Sequence, residues 1–212
     1  MNCLLVAATS TEITPFLETY RAKNLRDIDV LITGIGLTAA TYSLTRQLAI
    51  KRPGIIIQAG IGGCFDKKRK LGSVLAIRQE TIADQGVIEM NKWKTLSGLG
   101  LVRQNQYPYS KGWLVNNSVI LKKIKLDKVK AVSVNEITTS PQKIKLYKAT
   151  FDPVVESMEG AALHYVCLVE NIPFVQLRAV SNYTGERNKK HWNMKESIIN
   201  LNNELGVLLD KL

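Results

Sequence analysis

The chain has 212 residues, 45% of them hydrophobic, and a formal net charge of +11. That length supports one apolar core, read as a single domain over residues 1–212, and no apolar run is long enough to cross a bilayer. The excess lysine is scattered over Lys67–Lys70, Lys122–Lys130 and Lys143–Lys148 without a nucleic-acid-binding motif, so it reads as solvated surface and no nucleic-acid partner is expected.

The three cysteines, Cys3, Cys64 and Cys167, have no paired spacing and read as buried thiols, not a disulfide framework. With only two histidines, His164 and His191, the inventory offers no zinc set, and neither metal nor organic cofactor is expected. The first ten residues lack a basic leader and a full-length apolar signal core, which gives the expectation of a cytoplasmic protein.

Cys3 to Ala8 reads as a short buried strand. Thr9-Ser-Thr-Glu12 then has capping-box spacing ahead of a short helix that tolerates Pro15 in its first turn. Glu12 thereby lies just beyond the carboxyl end of a strand, where open α/β sheets place ligands, although completing the cap is reason enough for it. Ile28 to Thr33 is a second strand, turned by Gly34-Ile-Gly36 into a helix from about Leu37 to Ile50. Gly34-x-Gly36-x-x-Ala39 nominally matches a dinucleotide fingerprint, but that fingerprint needs an acid at the end of the next strand. The strand Ile55 to Ile57 ends instead in Gln58-Ala59-Gly60, so the dehydrogenase reading loses its key residue. Gly60-Ile-Gly62-Gly63 is a second glycine-rich turn, which suits both backbone approach to a ligand and simple tight packing.

Leu71 to Ile77 is a further strand, with Glu80 and Asp84 after it in a loop or strand extension. Asn91 to Gly112 is irregular, rich in glycine and aromatic residues, and reads as a long excursion of the kind that is often functional. Val115 to Leu126 is a helix with a basic face, Ala131 to Val134 a short strand, and Asn135 to Pro141 a polar loop feeding another basic helix. Residues 152–169 carry Val155, Met158, Ala162, Tyr165, Val166 and Val169 at helical spacing, with Asp152-Pro153 as a start signal and Glu156 as acid near the first turn. On that helix Glu159 falls beside the apolar stripe. A carboxylate there is partly desolvated and needs a hydrogen-bonding partner, whether its role is structural or chemical. Phe174 to Val180 is a strand, Ser181 to Arg187 a loop at its end, and Met194 to Leu208 a final amphipathic helix. The alternation describes a three-layer α/β domain with a central mixed, mostly parallel sheet. Glu12, both glycine turns and Asn182 follow strands, so one ligand site assembled from several strand ends is the natural inference.

The segment Val155-Glu-Ser-Met-Glu-Gly-Ala-Ala162 resembles the Met-Glu signature of the nucleoside phosphorylase and nucleosidase superfamily. Val6-Ala-Ala-Thr…Glu12, Gly34-Ile-Gly36, Gln58-Ala-Gly-Ile-Gly-Gly63 and Ala179-Val-Ser-Asn182 stand in the order that superfamily uses, across nearly the whole chain. Ser181-Asn-Tyr-Thr-Gly-Glu-Arg-Asn-Lys-Lys-His-Trp192 is similar to the futalosine hydrolases, nucleosidases of the alternative menaquinone pathway. The resemblance implies a nucleoside phosphorylase-like fold, a small-molecule nucleoside substrate and a homo-oligomer. It implies a site in which Met158 packs under the ribose, Glu159 binds the ribose hydroxyls and Glu12 activates the attacking water, with Gly34 and Gly60 among the substrate-binding turns.

Asn182 stands where many adenine-releasing nucleosidases carry aspartate. An asparagine cannot deliver a proton, but its amide both donates and accepts, which suits N7 and the keto oxygen of hypoxanthine. Some purine phosphorylases place arginine just before, and serine inside, the turn corresponding to residues 58–63. Here Gln58 and Ile61 offer neither guanidinium nor hydroxyl, so water is the expected nucleophile. Arg103 and Tyr107 are candidates for the benzoate-type end of futalosine, with plain surface residues as the alternative. The expectation is hydrolysis of the N-ribosidic bond of futalosine to hypoxanthine and dehypoxanthinyl futalosine. The alternatives are a purine nucleosidase or phosphorylase acting on inosine-like or methylthio-nucleosides, and a non-catalytic nucleoside-binding protein.

Overall fold

The computed structural model describes residues 2–22, 28–90 and 92–211. Strand β1 (Cys3–Ala7) is buried at every residue and lies between β2 (Ile28–Ile32) and β3 (Ile55–Cys64), parallel to both. An unbroken apolar run is what a parallel strand covered on both faces requires. The capping box over Thr9–Glu12 forms as a 3-10 turn, and helix α1 (Thr14–Ala22) follows with Pro15 in its first turn, where no intrahelical donor is lost. Helix α2 spans Leu37–Ile50, as its spacing predicts.

The expected second glycine turn is not a turn. Strand β3 runs straight through Gly60-Ile-Gly62-Gly63 to Cys64, because its neighbours approach too closely for side chains. A Cβ on Gly60 would fall 2.4 Å from the guanidinium of Arg178, and one on Gly62 2.8 Å from Val155. Strand β4 (Val74–Ile82) likewise extends past Ile77 and takes Glu80 into the sheet. Asp84 is the turn residue beyond it and accepts from the backbone N–H of Asn135 at 2.6 Å and of Glu136 at 3.3 Å. The excursion contains a hairpin of β5 (Gly86–Glu89) with β6 (Lys92–Thr95), then β7 (Tyr109–Ser110) against β8 (Trp113–Val115); Asn91, its expected first residue, lies outside the described residues. The helix expected over Val115–Leu126 shortens to α3 (Val119–Lys123), since Val115 belongs to β8 and Ser118 caps the helix by accepting from the Leu121 N–H. Strand β9 (Lys128–Ser133) and helix α4 (Pro141–Phe151) follow.

The largest correction concerns residues 152–169. Asp152 does not start a helix but ends α4, at φ 46° with its N–H on the Lys148 carbonyl. Strand β10 (Val155–Ser157) pairs with β9 and β3, and only at Gly160 does helix α5 (Gly160–Val169) begin, with Glu159 at its N-cap. Glu156 is therefore a strand residue, not an acid in a helical first turn. Val154 and Val155 are β-branched, and over so short a run an apolar spacing of three and four does not separate strand from helix. Strand β11 (Phe174–Tyr183) continues past Val180 through a bulge, so Asn182 lies on the strand, and α6 (Met194–Leu209) follows.

The main sheet runs β2-β1-β3-β10-β9-β4-β8-β7, with β11 pairing to both β3 and β4. Strands β3, β10, β9, β4 and β11 thereby close a ring, and Cys64, Leu75, Ile77, Val129, Ala131, Val155 and Val180, drawn from all five, fill its interior. Leu44 of α2 with Leu163 and Val166 of α5 pack on Leu4, Val6 and Ile56; Phe16 of α1 with Leu201 and Leu205 of α6 pack on Leu5, Ile55 and Ile57. Because successive strand residues face opposite ways, these two clusters are helical layers on opposite faces of β1 and β3, the expected α/β arrangement around a mixed sheet. The three cysteines are free and buried. Among the described residues no helix is long and apolar enough to cross a membrane.

Candidate active site

Glu12 closes the 3-10 turn after β1 and is buried. Its Oε2 accepts from the N–H and hydroxyl of Thr9 at 3.0 and 3.2 Å, which completes the cap, while Oε1 accepts from the Ile61 N–H at 3.1 Å. The second bond is beyond what capping needs. It spans the stretch of β3 left open between the β1 pairing, which ends at Gln58, and the β10 pairing, which begins at Gly63.

Arg178 is the functional residue that the sequence reading passed over. It is paired in register with Gly60, is 1% exposed, and lays its guanidinium across that glycine. Nη2 donates to Gln58 Oε1 at 3.0 Å and to Glu159 Oε2 at 3.3 Å, and Nη1 donates to the Ile61 carbonyl at 3.3 Å. The signal that could have found it is Gln176 and Arg178, two polar residues two apart on an otherwise apolar strand. A guanidinium on a buried face demands an anion.

That anion is Glu159, 5% exposed. Its Oε2 takes the Arg178 bond and its Oε1 accepts from the Gly36 N–H at 3.1 Å. Gly36 is the N-cap of α2 and Glu159 the N-cap of α5, so the carboxylate sits where two helices present their positive ends. Gly34 makes the turn, at φ 81°, but Gly36, at φ 96°, is the glycine whose N–H reaches the acid. Met158 is half-buried between β10 and the Glu159 N-cap. Glu12, Gly60, Glu159 and Arg178 thus converge on one point of β3.

Asn182 lies farther along. It pairs with Gly63, three residues from Gly60, roughly 10 Å up the strand. Its Nδ2 donates to the Tyr183 carbonyl at 3.1 Å and its Oδ1 accepts from the Ser181 hydroxyl at 2.8 Å. No hydrogen bond joins it to the carboxylates among the described residues, but a nucleoside can bridge the separation.

A further acid lies behind the Glu159–Arg178 pair. Glu80 is fully buried and accepts from the Ser133 hydroxyl at 3.0 Å; that same oxygen of Ser133 accepts from the Ala161 N–H at 2.8 Å in the first turn of α5. Burial pushes the Glu80 carboxyl up to about 8, against the pull of Arg178, so it is neutral at pH 7. His164, also fully buried, has Nδ1 3.0 Å from the Leu114 carbonyl and is held down to about 4 by burial, so it too is uncharged. Gly160 has no room for a side chain, since a Cβ would lie 2.4 Å from both Gln176 and Glu80. Arg103 and Tyr107 line a separate cavity of about 400 Å³ with Thr81, Tyr109, Trp113 and Tyr165, and neither Glu12, Glu159 nor Asn182 lines it.

A model of the family described as the Phosphorylase superfamily matches residues 14–212. The chain is similar to the futalosine hydrolase of Thermus thermophilus, with 26% identity over 205 residues that cover 92% of this chain and 89% of the relative. It is also similar to the 5'-methylthioadenosine/S-adenosylhomocysteine nucleosidase of Haemophilus influenzae, with 28% identity over 170 residues that cover 75% of this chain and 69% of the relative. Among solved structures, the futalosine hydrolase of Helicobacter pylori superposes with a TM-score of 0.81 at 18% identity, covering 99% of this chain and 97% of that one. At that identity the superposition speaks for the fold.

Proposed function

Because the chain belongs to the phosphorylase superfamily and is an N-glycosyl hydrolase of the nucleosidase type, we propose that it hydrolyses the N-ribosidic bond of futalosine, releasing hypoxanthine and dehypoxanthinyl futalosine for menaquinone biosynthesis. The observation that carries this reading is the convergence of Glu12, Glu159 and Arg178 on Gly60, with an amide, not an acid, farther along the same strand at Asn182.

In this mechanism Glu159 accepts hydrogen bonds from the ribose hydroxyls, held in place by Gly36 and Arg178, while Met158 packs under the sugar. A fixed anion there stabilises the positive charge that develops on the ribosyl group as the glycosidic bond stretches. Glu12, anchored through the Ile61 N–H, takes the proton of the attacking water. Asn182 hydrogen-bonds N7 and the keto oxygen of the leaving base.

Water is favoured over phosphate by the charge around Gly60 and not by the absence of a guanidinium. Residues 58–63 carry no guanidinium of their own, yet Arg178 brings one across Gly60 from the neighbouring strand. That guanidinium is already shared among Glu159, Gln58 and the Ile61 carbonyl, and two carboxylates flank it. A phosphate dianion would meet net negative charge, whereas water meets no such repulsion.

The test is base release from futalosine in phosphate-free buffer, with inosine, methylthioadenosine and added phosphate run alongside. Hypoxanthine from futalosine, unaffected by phosphate, is the expected result. Adenine from methylthioadenosine with futalosine untouched would replace the substrate, and a phosphate requirement would replace the nucleophile.

A further inference from the structure

A line of buried polar side chains ties the start of helix α5 into the sheet just behind Glu159. Ser133 of β9, Glu80 of β4, Gln176 of β11 and His164 of α5 are all fully buried. At one end the Ser133 hydroxyl accepts from the Ala161 N–H at 2.8 Å and donates to Glu80 Oε1 at 3.0 Å. At the other, His164 Nδ1 lies 3.0 Å from the Leu114 carbonyl of β8. Gln176 stands between, its amide facing the Glu80 carboxyl on one side and the His164 ring on the other. Glu80 Oε2, both polar atoms of Gln176 and His164 Nε2 make no bond of good geometry as they stand. Buried orphans that face one another call for a common explanation.

Donor and acceptor roles supply it. A carbonyl only accepts, so His164 carries hydrogen at Nδ1 and, when neutral, offers a lone pair at Nε2. That lone pair calls for the amide NH2 of Gln176. A half-turn of an amide exchanges its oxygen and nitrogen, and this orientation turns the Gln176 oxygen to Glu80. Glu80 Oε2 must then carry hydrogen. The opposite orientation needs a carboxylate at Glu80 and a second proton on His164. Arg178 attracts the first of those charges but repels the second, and burial disfavours both.

We infer that protonated Glu80 is a positioning residue for Glu159, joining a one-directional hydrogen-bond chain that runs from the Ala161 N–H through Ser133, Glu80, Gln176 and His164 to the Leu114 carbonyl. This rests on the nucleosidase reading, in which Glu159 is the anion proposed to bind the ribose. Ala161 and His164 both follow the Glu159 N-cap in the first turns of α5, so the chain grips that helix at two points. Hydrogen bonds that all point one way strengthen one another. The charged and titratable groups that face Glu80 are Arg178 from β11, Glu159 at the start of α5 and, across Gln176, His164; β9 presents the Ser133 hydroxyl. Without its proton Glu80 only accepts, so it reverses the Gln176 amide, breaks the bond to His164 and competes with Glu159 for Arg178. Burial puts that loss at about pH 8. The alternative role for Glu80 is only to fill space beneath α5.

Glu80→Gln separates the two roles. Its carbonyl accepts from Ser133 and its NH2 donates to Gln176, so it keeps the chain and has no proton to lose. Base release from futalosine, inosine and methylthioadenosine is measured from about pH 5 to 10, beside nitrogen NMR of the histidines, of which His191 is exposed. The wild type is expected to lose kcat/KM about tenfold per pH unit above about pH 8, with His164 in its Nδ1–H form at pH 7 and its signals shifting through about pH 8. Glu80→Gln is expected to stay within about threefold of the wild type at pH 7 and to lack both alkaline changes. Glu80→Leu fills the space but breaks the chain, and is expected to lose at least about 100-fold in kcat/KM. The Glu80→Gln comparison stands even if Glu80→Leu does not fold. The same alkaline fall in Glu80→Gln as in the wild type, an Nε2–H form of wild-type His164 at pH 7, or full activity in Glu80→Leu overturns the inference. A wild type that cleaves none of these nucleosides, yet whose His164 signals shift through about pH 8 while those of Glu80→Gln do not, supports the chain and removes the nucleosidase reading. Turnover with an unchanged alkaline limb in Glu80→Gln does the reverse.

Discussion

Arg178 and Glu159 form a buried pair in which each residue explains the other. The guanidinium is 1% and the glutamate 5% exposed, so neither charge has water to fall back on. Removing one partner of such a pair strands the other, at about 3–5 kcal/mol, whereas removing both charges together relieves most of that penalty. Arg178→Met is therefore expected to lower unfolding stability by about that amount, and Arg178→Met with Glu159→Gln to recover a large part of it, measured by urea denaturation. Activity is expected to stay lost in both variants, because the anion proposed to bind the ribose is misplaced in the first and neutral in the second. Equal stability of the single variant and the wild type would mean that the pair does not hold in solution.

At the scale of elements, strand β3 determines where the site lies, and its glycines do so by absence. Gly60→Ala would put a methyl 2.4 Å from Arg178 Nη1 and 3.0 Å from Glu12 Oε1. The expected result is loss of at least about 100-fold in kcat/KM with a stability cost of about 1–3 kcal/mol, since the guanidinium must shift off the strand. Gly206 in α6 has nothing within 4 Å of an added Cβ, so Gly206→Ala should raise stability by about 0.5–1 kcal/mol and leave turnover alone. A matching loss of activity in both variants would show that the crowding at Gly60 is not the cause. The glycine cluster was legible as a place of close approach, and Glu12 as an acid beyond a strand end. What approaches was not legible, because Arg178 reaches Gly60 from 118 positions later in the chain through strand pairing that no local pattern encodes. The segment around Glu159 escapes local pattern for a related reason. Apolar spacing over 152–169 fits one helix, and only the pairing of Val155–Ser157 with β9 and β3 makes it strand, N-cap and helix.

Across the whole molecule the charge is distributed against its own sign. The net charge is +11, yet the buried charged residues described include four glutamates, Glu12, Glu80, Glu156 and Glu159, and one guanidinium, Arg178. One cation cannot neutralise four carboxyls, and the acid farthest from water holds its proton. Burial raises the Glu80 carboxyl from its ordinary 4.5 to about 8. The folded chain therefore binds that proton more tightly than the unfolded chain does. The stability that follows is fully present below about pH 4.5, is lost progressively as pH rises to about 8, and does not change further above it. A glutamine is neutral throughout, and Glu80→Gln keeps an acceptor for the Ser133 hydroxyl. The stability of Glu80→Gln relative to wild type should thus climb between pH 4.5 and 8, by ~4 kcal/mol if Glu80 alone is responsible. Urea unfolding of both proteins at intervals from pH 4.5 to 9 measures that difference directly, and buried carboxyls common to both cancel in it. A difference flat with pH would mean that Glu80 is ionised in the fold and that Arg178 serves two anions instead of one.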